Sequence, residues 1–145
     1  MSLTDNLTLS QIKKISGEVI LPGSKSLSNR ILLLSMLAEG QTEIQNLLDS
    51  DDIRRMVEAL ETLGIEFEEN RAENYISVCG TAGIIPVSEA TLMLGNAGTA
   101  IRPLTAAMTL GHGRFVLDGV ARMRERPIID LVKGQIGRAS CRERV

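Results

Sequence analysis

Two cations stand at the start of an apolar run in LPGSKSLSNRILLLSMLAEG (21–40): Lys25, between Ser24 and Ser26, and Arg30 further along. The first N–H groups of a helix lack intrahelical partners, and the aligned peptide dipoles leave positive character there. A turn that presents them is an anion site. Gly23 permits the tight turn, while Ser24, Ser26 and Ser28 offer hydroxyl donors. Helical side chains lean toward the N-terminus, so Arg30, one turn in, can reach back over the spot that Lys25 approaches from the loop. That chemistry suits a compact dianion such as a phosphomonoester. The competing reading makes Lys25 a solvated loop residue and Arg30 an ion-paired or snorkelling one. A nucleotide P-loop does not fit, because the lysine follows Ser24 and position 18 is Glu18 rather than glycine.

A second turn, LGNAGTAIRP, repeats the theme. Gly95 and Gly98 allow close backbone approach, and Thr99 can act as a cap or a hydroxyl donor. Pro103 is tolerable only in a first helical turn, which predicts a helix start near Thr99 or Ala100. Arg102 reads as a structural charge rather than a ligand. In ARMRERP, Arg122, Arg124 and Arg126 alternate, so an extended segment would put them on one face. Guanidinium forks suit phosphate and carboxylate, and three beside two phosphate-type turns favour more than one anion; a solvated charged loop is the alternative. His112, between glycines, receives no role, and Cys79 reads as a buried apolar residue of a strand.

The elements that must position these groups follow from the periodicity. GEVIL (17–21) predicts a strand and residues 26–38 a helix stopped by Gly40, apolar on nearly every side and therefore buried. QTEIQNL (41–47) predicts a strand, and LDSDD supplies capping groups. Ile53, Met56, Val57, Leu60 and Leu63 then mark an amphipathic helix ending at Gly64. IEFEEN and YISVCG flank RAEN as a hairpin, RFVLDG predicts a strand, and PIIDLVKG starts another helix. The order is β-α-β-α-β-β and then a restart, an α/β pattern. Sliding the chain so that Arg30 lies on Arg102 also superposes Leu32 on Leu104, Ser35 on Ala107 and Met36 on Met108. After a one-residue slip, Gly40 meets Gly113, Ile44 meets Leu117 and Leu47 meets Val120. One supersecondary unit is used twice, with its second copy cut short.

Composition bounds the function. At 145 residues, 43% hydrophobic and 23% charged, the chain has the make-up of one soluble domain. With two Phe, one Tyr and no Trp, its core must be aliphatic, and base stacking finds little support. A net charge of −2 predicts neither nucleic-acid nor anionic-membrane binding by the whole molecule. No signal-peptide pattern opens the sequence and no apolar run could span a bilayer, which predicts a cytoplasmic protein. Two cysteines, Cys79 and Cys141, make neither a disulfide framework nor a metal-ligand spacing.

Taken together, LPGSKSLSNR, NLLDSDDIRRM, LGNAGTAIRPL and RMRERPI resemble the N-terminal part of the 3-phosphoshikimate 1-carboxyvinyltransferase (EPSP synthase) family of aromatic amino-acid biosynthesis, from about residue 8 to about 134. The resemblance implies that a hydroxyl of shikimate 3-phosphate adds to C2 of protonated phosphoenolpyruvate, and that phosphate is then expelled to leave an enolpyruvyl ether. It implies no metal and no organic cofactor. Lys25 would contact both substrates, Ser26 and Arg30 would hold shikimate 3-phosphate, and the Gly98 backbone and Arg126 would hold phosphoenolpyruvate. Asn96, Thr99 and Pro103 match the motif lining the phosphoenolpyruvate pocket, where glyphosate competes in this family. Changes at the latter two positions can reduce glyphosate binding there.

The implied fold has two globular halves, each of three β-α-β-α-β-β units, closing on the substrates; this chain carries one complete unit and the start of a second. Residues 1–20 would be opening strands that pack in the other half, and residues 21–134 an incomplete substrate-binding half. The family's acid/base carboxylates would lie outside this stretch, so the chain alone is expected to be inactive. The full-length protein is expected to be a monomer. Residues 135–145 break the apolar period, and IGRASCRERV resembles a translated sequencing adapter; a genuine basic tail is the alternative. Rival readings are the related UDP-N-acetylglucosamine enolpyruvyl transferase, whose pattern the 24–30 motif fits less well, a non-catalytic phosphometabolite-binding module, and a basic nucleic-acid binder.

Overall fold

A computed structural model describes residues 9–142, with side chains as far as residue 136. Its elements in order are α1 (Lys25–Leu37), β1 (Glu39–Ile44), α2 (Asp51–Thr62), β2 (Phe67–Asn70), β3 (Tyr75–Thr81), β4 (Glu89–Met93), α3 (Gly98–Ala107), β5 (Arg114–Asp118), α4 (Ala121–Arg124) and α5 (Ile129–Arg142). β1, β3 and β2 form an antiparallel sheet in that order, while β4 and β5 pair in parallel. The RAEN hairpin is present: a 3-10 turn at Arg71–Glu73 and Asn74, at φ 51°, join β2 to β3.

The amphipathic period of α2 is realised as read. Ile53, Met56, Val57 and Leu60 are buried, and each such side chain contributes about 1.5–3 kcal/mol by leaving water. Its end is a Schellman motif. Gly64, at φ 76°, donates to the Glu61 carbonyl at 2.9 Å, and the Ile65 N–H reaches the Leu60 carbonyl at 3.0 Å. Leu32, Met36, Met56, Leu60, Ile76, Leu92, Leu94 and Leu104 fill the centre between the helices and the sheets, an aliphatic core as the composition requires.

Several expectations are corrected. Among the described residues, 17–21 form no strand, because no chain runs beside them to take their N–H and C=O groups; Ile20 is 90% exposed. The strand at β4 was hidden by the LMLG run. Its signal is the alternation that buries Ala90, Leu92 and then Leu94. The α1 helix is not wrapped by protein. Ser28, Asn29, Leu32, Ser35 and Met36 face inward, whereas Leu34 is 63% exposed, because β3, α2 and α3 pack on one side only.

Gly40 does not stop α1 but lies inside β1 at φ 84°. The helix ends earlier because β3 takes over its last carbonyls: the Thr81 hydroxyl donates to Met36 at 3.1 Å and the Ala82 N–H to Ala38 at 2.7 Å. Cys79 is exposed, since it shares the outer side of β3 with Tyr75 while Ile76 and Val78 point inward. The α3 helix starts at Gly98, so Pro103 falls in its second turn and leaves the Thr99 carbonyl without its usual partner. The proposed boundary near residue 135 interrupts no helix, since α5 runs on to Arg142; residues 143–145 lie outside the described residues, as do residues 1–8 of the opening segment.

Candidate functional site

Three helix N-termini meet at one place. Lys25 begins α1, Asp52 is the second residue of α2, and Gly98 and Thr99 begin α3; together with Asn96, Arg102 and Arg126 they line a cleft of about 370 Å³. Among the described residues none of these helices has a side-chain cap on its first turn, although Ser24 and Ser50 occupy capping positions; the Gly98 N–H turns back to the Asn96 carbonyl at 2.9 Å and the Ile53 N–H to Ser50 at 3.1 Å, while those of Lys25, Asp52 and Thr99 are left for other partners. The serine of LDSDD thus does not act as the cap expected of it.

Local backbone geometry holds the two turns in place. Gly23 approaches the 46–48 segment so closely that a Cβ would overlap the Asn46 carbonyl, and Ser28 Oγ accepts from the Leu48 N–H at 3.4 Å. Gly95 turns at φ 55° against the Arg55 side chain, and its carbonyl accepts from the Val120 N–H at 3.0 Å. Lys25 is thereby set before α1 and Asn96 before α3.

Lys25 Nζ lies 3.3 Å from Asp52 Oδ2. The same carboxylate oxygen accepts from the Thr99 hydroxyl at 3.1 Å, and Thr99 Oγ1 accepts from Asn29 Nδ2 at 2.8 Å. Thr99 is therefore a hydroxyl donor and not a cap. Arg126 lies over Gly98, where a Cβ would overlap its Nη1. Arg102 Nη2 donates to the Pro127 carbonyl at 3.1 Å and also stands on the cleft wall.

The arginine run does not share a face. Residues 121–124 are helical, which puts Arg122 and Arg124 about 200° apart around the axis. Arg122 pairs with Glu125 at 2.7 Å. Arg124 forks onto Asp118 at 2.8 and 2.6 Å, and that bond, helped by the Gly119 N–H, lowers the Asp118 pKa to about 2. Only Arg126 of the three reaches the cleft.

Of the residues singled out from sequence, Lys25, Asn96, Gly98, Thr99 and Arg126 are gathered in the cleft; Ser26, Arg30 and Pro103 are not among its walls. Five residues turn a helix by about 140° beyond a full circle, so Arg30 points away from Lys25 instead of converging with it. Ser26 and Arg30 are exposed and lie one turn apart on a common side of α1. Pro103 borders a separate hollow with Arg102 and Ile128. Two residues escaped the sequence reading. The sequence presents Asp52 only as a capping carboxylate in LDSDD. Asn29 carried a signal: it falls with Leu32 and Met36 on the buried stripe of α1, where an amide is out of place.

Three cations, one carboxylate and free helix-start N–H groups make a cleft for a small, highly charged anion. Among the described residues no group of three metal-ligating side chains occurs, and no helix is long and apolar enough to cross a membrane.

Comparison with known proteins bears on this chemistry. Residues 9–136 match the family model of EPSP synthase (3-phosphoshikimate 1-carboxyvinyltransferase). The chain is 59% identical over 135 residues to the chloroplastic 3-phosphoshikimate 1-carboxyvinyltransferase of Petunia hybrida, covering 88% of this chain and 26% of that protein. To the 3-phosphoshikimate 1-carboxyvinyltransferase of Paraburkholderia phymatum it is 56% identical over 135 residues, covering 92% and 31%. The fold superposes on the EPSP synthase of Acinetobacter baumannii with a TM-score of 0.69 at 27% identity, over 81% of this chain and 26% of that one. The chain thus spans roughly a quarter to a third of the length of the curated relatives it matches.

Proposed function

The chain belongs to the EPSP synthase family, and from that premise we propose that its cleft is the phosphoenolpyruvate side of an enolpyruvyl transfer site. In this reading a hydroxyl of shikimate 3-phosphate adds to C2 of protonated phosphoenolpyruvate, and loss of phosphate leaves an enolpyruvyl ether. The observation that carries it is the single cavity holding Lys25, Gly98 and Arg126. Phosphoenolpyruvate bears a phosphate and a carboxylate. Lys25 and Arg126 supply charge for both, and the bare backbone at Gly98 lets the ligand approach the start of α3.

Ser26 and Arg30 hold the phosphate of shikimate 3-phosphate on the adjoining side of α1, which their one-turn spacing supports. Lys25, at the helix start between the two places, touches both substrates. Asn96, Thr99 and Pro103 shape the phosphoenolpyruvate side, Pro103 through the backbone it fixes in α3. The reading calls on no metal and no organic cofactor. Its acid/base carboxylates belong to the part of the longer relatives that this chain does not span, so binding without turnover is expected of these residues alone. Residues 21–134 then form a piece of one substrate-binding half, residues up to 20 pack in the other, and the segment from about 135, where the family match ends at residue 136, is foreign to the family. The exposed apolar side chains of Val19 and Ile20 suit that assignment. A cytoplasmic compartment suits the free Cys79 thiol, and the whole protein is taken as a monomer without nucleic-acid or membrane partners.

Titration of the chain with phosphoenolpyruvate, shikimate 3-phosphate and UDP-N-acetylglucosamine, followed by backbone amide NMR, tests this. Shifts at Gly98, Thr99 and Lys25 with phosphoenolpyruvate, and at Ser26 and Arg30 with shikimate 3-phosphate, are expected. Preferential response to the nucleotide sugar would move the assignment to the related transferase. Grafting residues 21–134 into the Acinetobacter baumannii enzyme should preserve phosphate release from the two substrates, and complete loss with a folded graft would overturn the catalytic reading.

A further inference from the structure

Asn29 has no part in the contacts proposed above, yet it is fully buried, and its Oδ1 has no hydrogen-bond partner among the described residues. A buried amide left half satisfied is costly, and an apolar residue on that stripe of α1 would avoid the cost. The polarity of its one bond explains what it does. A carboxylate can only accept, so between Asp52 and Thr99 the hydroxyl must donate; Thr99 Oγ1 then has only lone pairs to offer toward α1, and Asn29 fills that place with an N–H. The hydroxyl is thereby locked in one orientation. Three other helical hydroxyls behave differently: Ser35, Thr62 and Thr105 each donate to the carbonyl one turn back, at 2.8 Å. Only Thr99 among these directs its proton to a side chain on another helix.

We infer that Asn29 is a positioning residue that, through Thr99, fixes the Asp52 carboxylate as the anchor for Lys25 in the cleft. The chain of donors runs one way, from the Asn29 amide to the Thr99 hydroxyl to Asp52, with the Lys25 ammonium meeting the same oxygen from the solvent side. It joins α1 to α3 and α3 to α2, so the ammonium is held relative to all three helix starts and not to its own loop alone. The link to ligand rests on the phosphoenolpyruvate reading; the link from Asn29 to Lys25 does not.

The test uses the whole chain with labelled lysine, the Lys25 Nζ resonance being assigned by its absence in Lys25→Arg. Asn29→Asp keeps the shape but replaces the N–H by an acceptor, which competes with Asp52 for the Thr99 proton. The Lys25 resonance should then move toward its position in Asp52→Asn, and phosphoenolpyruvate affinity should fall about tenfold, the worth of one well-placed hydrogen bond. Adding Thr99→Val should cost nothing further, because both changes break one chain. A folded Asn29→Asp protein with an unmoved Lys25 resonance would show that the amide merely joins two helices and would overturn the inference, as would losses that add. If Asn29→Asp fails to fold, Asn29→Leu makes the same break without a buried charge. If the unaltered chain binds no phosphoenolpyruvate, the functional reading fails while the lysine resonance still decides the role of Asn29.

Discussion

The two copies of the repeated unit use one backbone plan for opposite purposes. In the register that sets Arg30 on Arg102, Gly23 falls on Gly95, Lys25 on Ala97 and Ser26 on Gly98. The first copy brings charge to the cleft, in Lys25. The second brings bare backbone in Gly98, over which Arg126 folds from a later segment. Even the matched arginines differ, since Arg102 is bonded to the Pro127 carbonyl at 3.1 Å while Arg30 stands exposed on the side of α1 that it shares with Ser26. Duplication supplied two helix starts side by side, and divergence of single residues made them complementary.

The matched glycines give the sharpest way to break this symmetry. At Gly23 a Cβ would strike the Asn46 carbonyl and the Leu48 N–H, both backbone atoms that cannot step aside. Gly23→Ala should cost about 3 kcal/mol in urea unfolding, the upper range for overpacking. At Gly95 the nearest atom, Arg55 Nε, is 3.4 Å from such a Cβ and flexible, so Gly95→Ala should cost only the left-handed backbone strain, about 1 kcal/mol. Equal costs would mean that the two turns are held alike.

The division between charge and bare backbone predicts a second asymmetry. Lys25→Ala removes one of the cleft's cations and should weaken phosphoenolpyruvate binding by about 2 kcal/mol, in the range for a charged hydrogen-bond partner. Gly98→Ala should act by displacing the Arg126 guanidinium, a flexible group, and so lower affinity about tenfold while leaving the unfolding midpoint nearly unchanged. Calorimetric titration of both variants measures the difference. A destabilised Gly98→Ala protein would show that the approach of Arg126 is structural.

How much of this was legible depended on whether a residue's role is local. The α2 period, the Gly64 stop, the RAEN hairpin and the two glycine turns are set within a few residues, and the sequence carries them plainly. The 17–21 strand failed because β structure needs a partner, whereas the equivalently placed β4 has one in β5. Lys25, Gly98 and Arg126 could be picked out by type and motif. Their meeting with Asp52 could not, because it depends on how three helices pack. The arginine run misled because alternation implies a common face only in extended chain, and four residues of helix scatter it. Asn29 was readable in principle as a polar interruption of an inward stripe, but its partner Thr99 lies in the other copy.

The smallest effect tests whether the second copy's ion pair is confined to the surface. Asp118, held by Arg124 and the Gly119 N–H, has its pKa lowered from 3.8 to about 2. A carboxyl depressed in the folded chain stabilises the fold while it is ionised in both states, so its contribution is complete above about pH 4 and fades as pH falls toward 2. Stability should therefore rise with pH across that window, and Asp118→Asn should flatten the rise without altering the plateau's shape at neutral pH. Because Arg124 is well exposed, salt should shrink the difference. Acid titration of the unaltered chain and of Asp118→Asn by circular dichroism measures the difference: a slope between about pH 4 and 2 that the substitution leaves unchanged would show that the bonds from Arg124 and the Gly119 N–H add nothing to the fold.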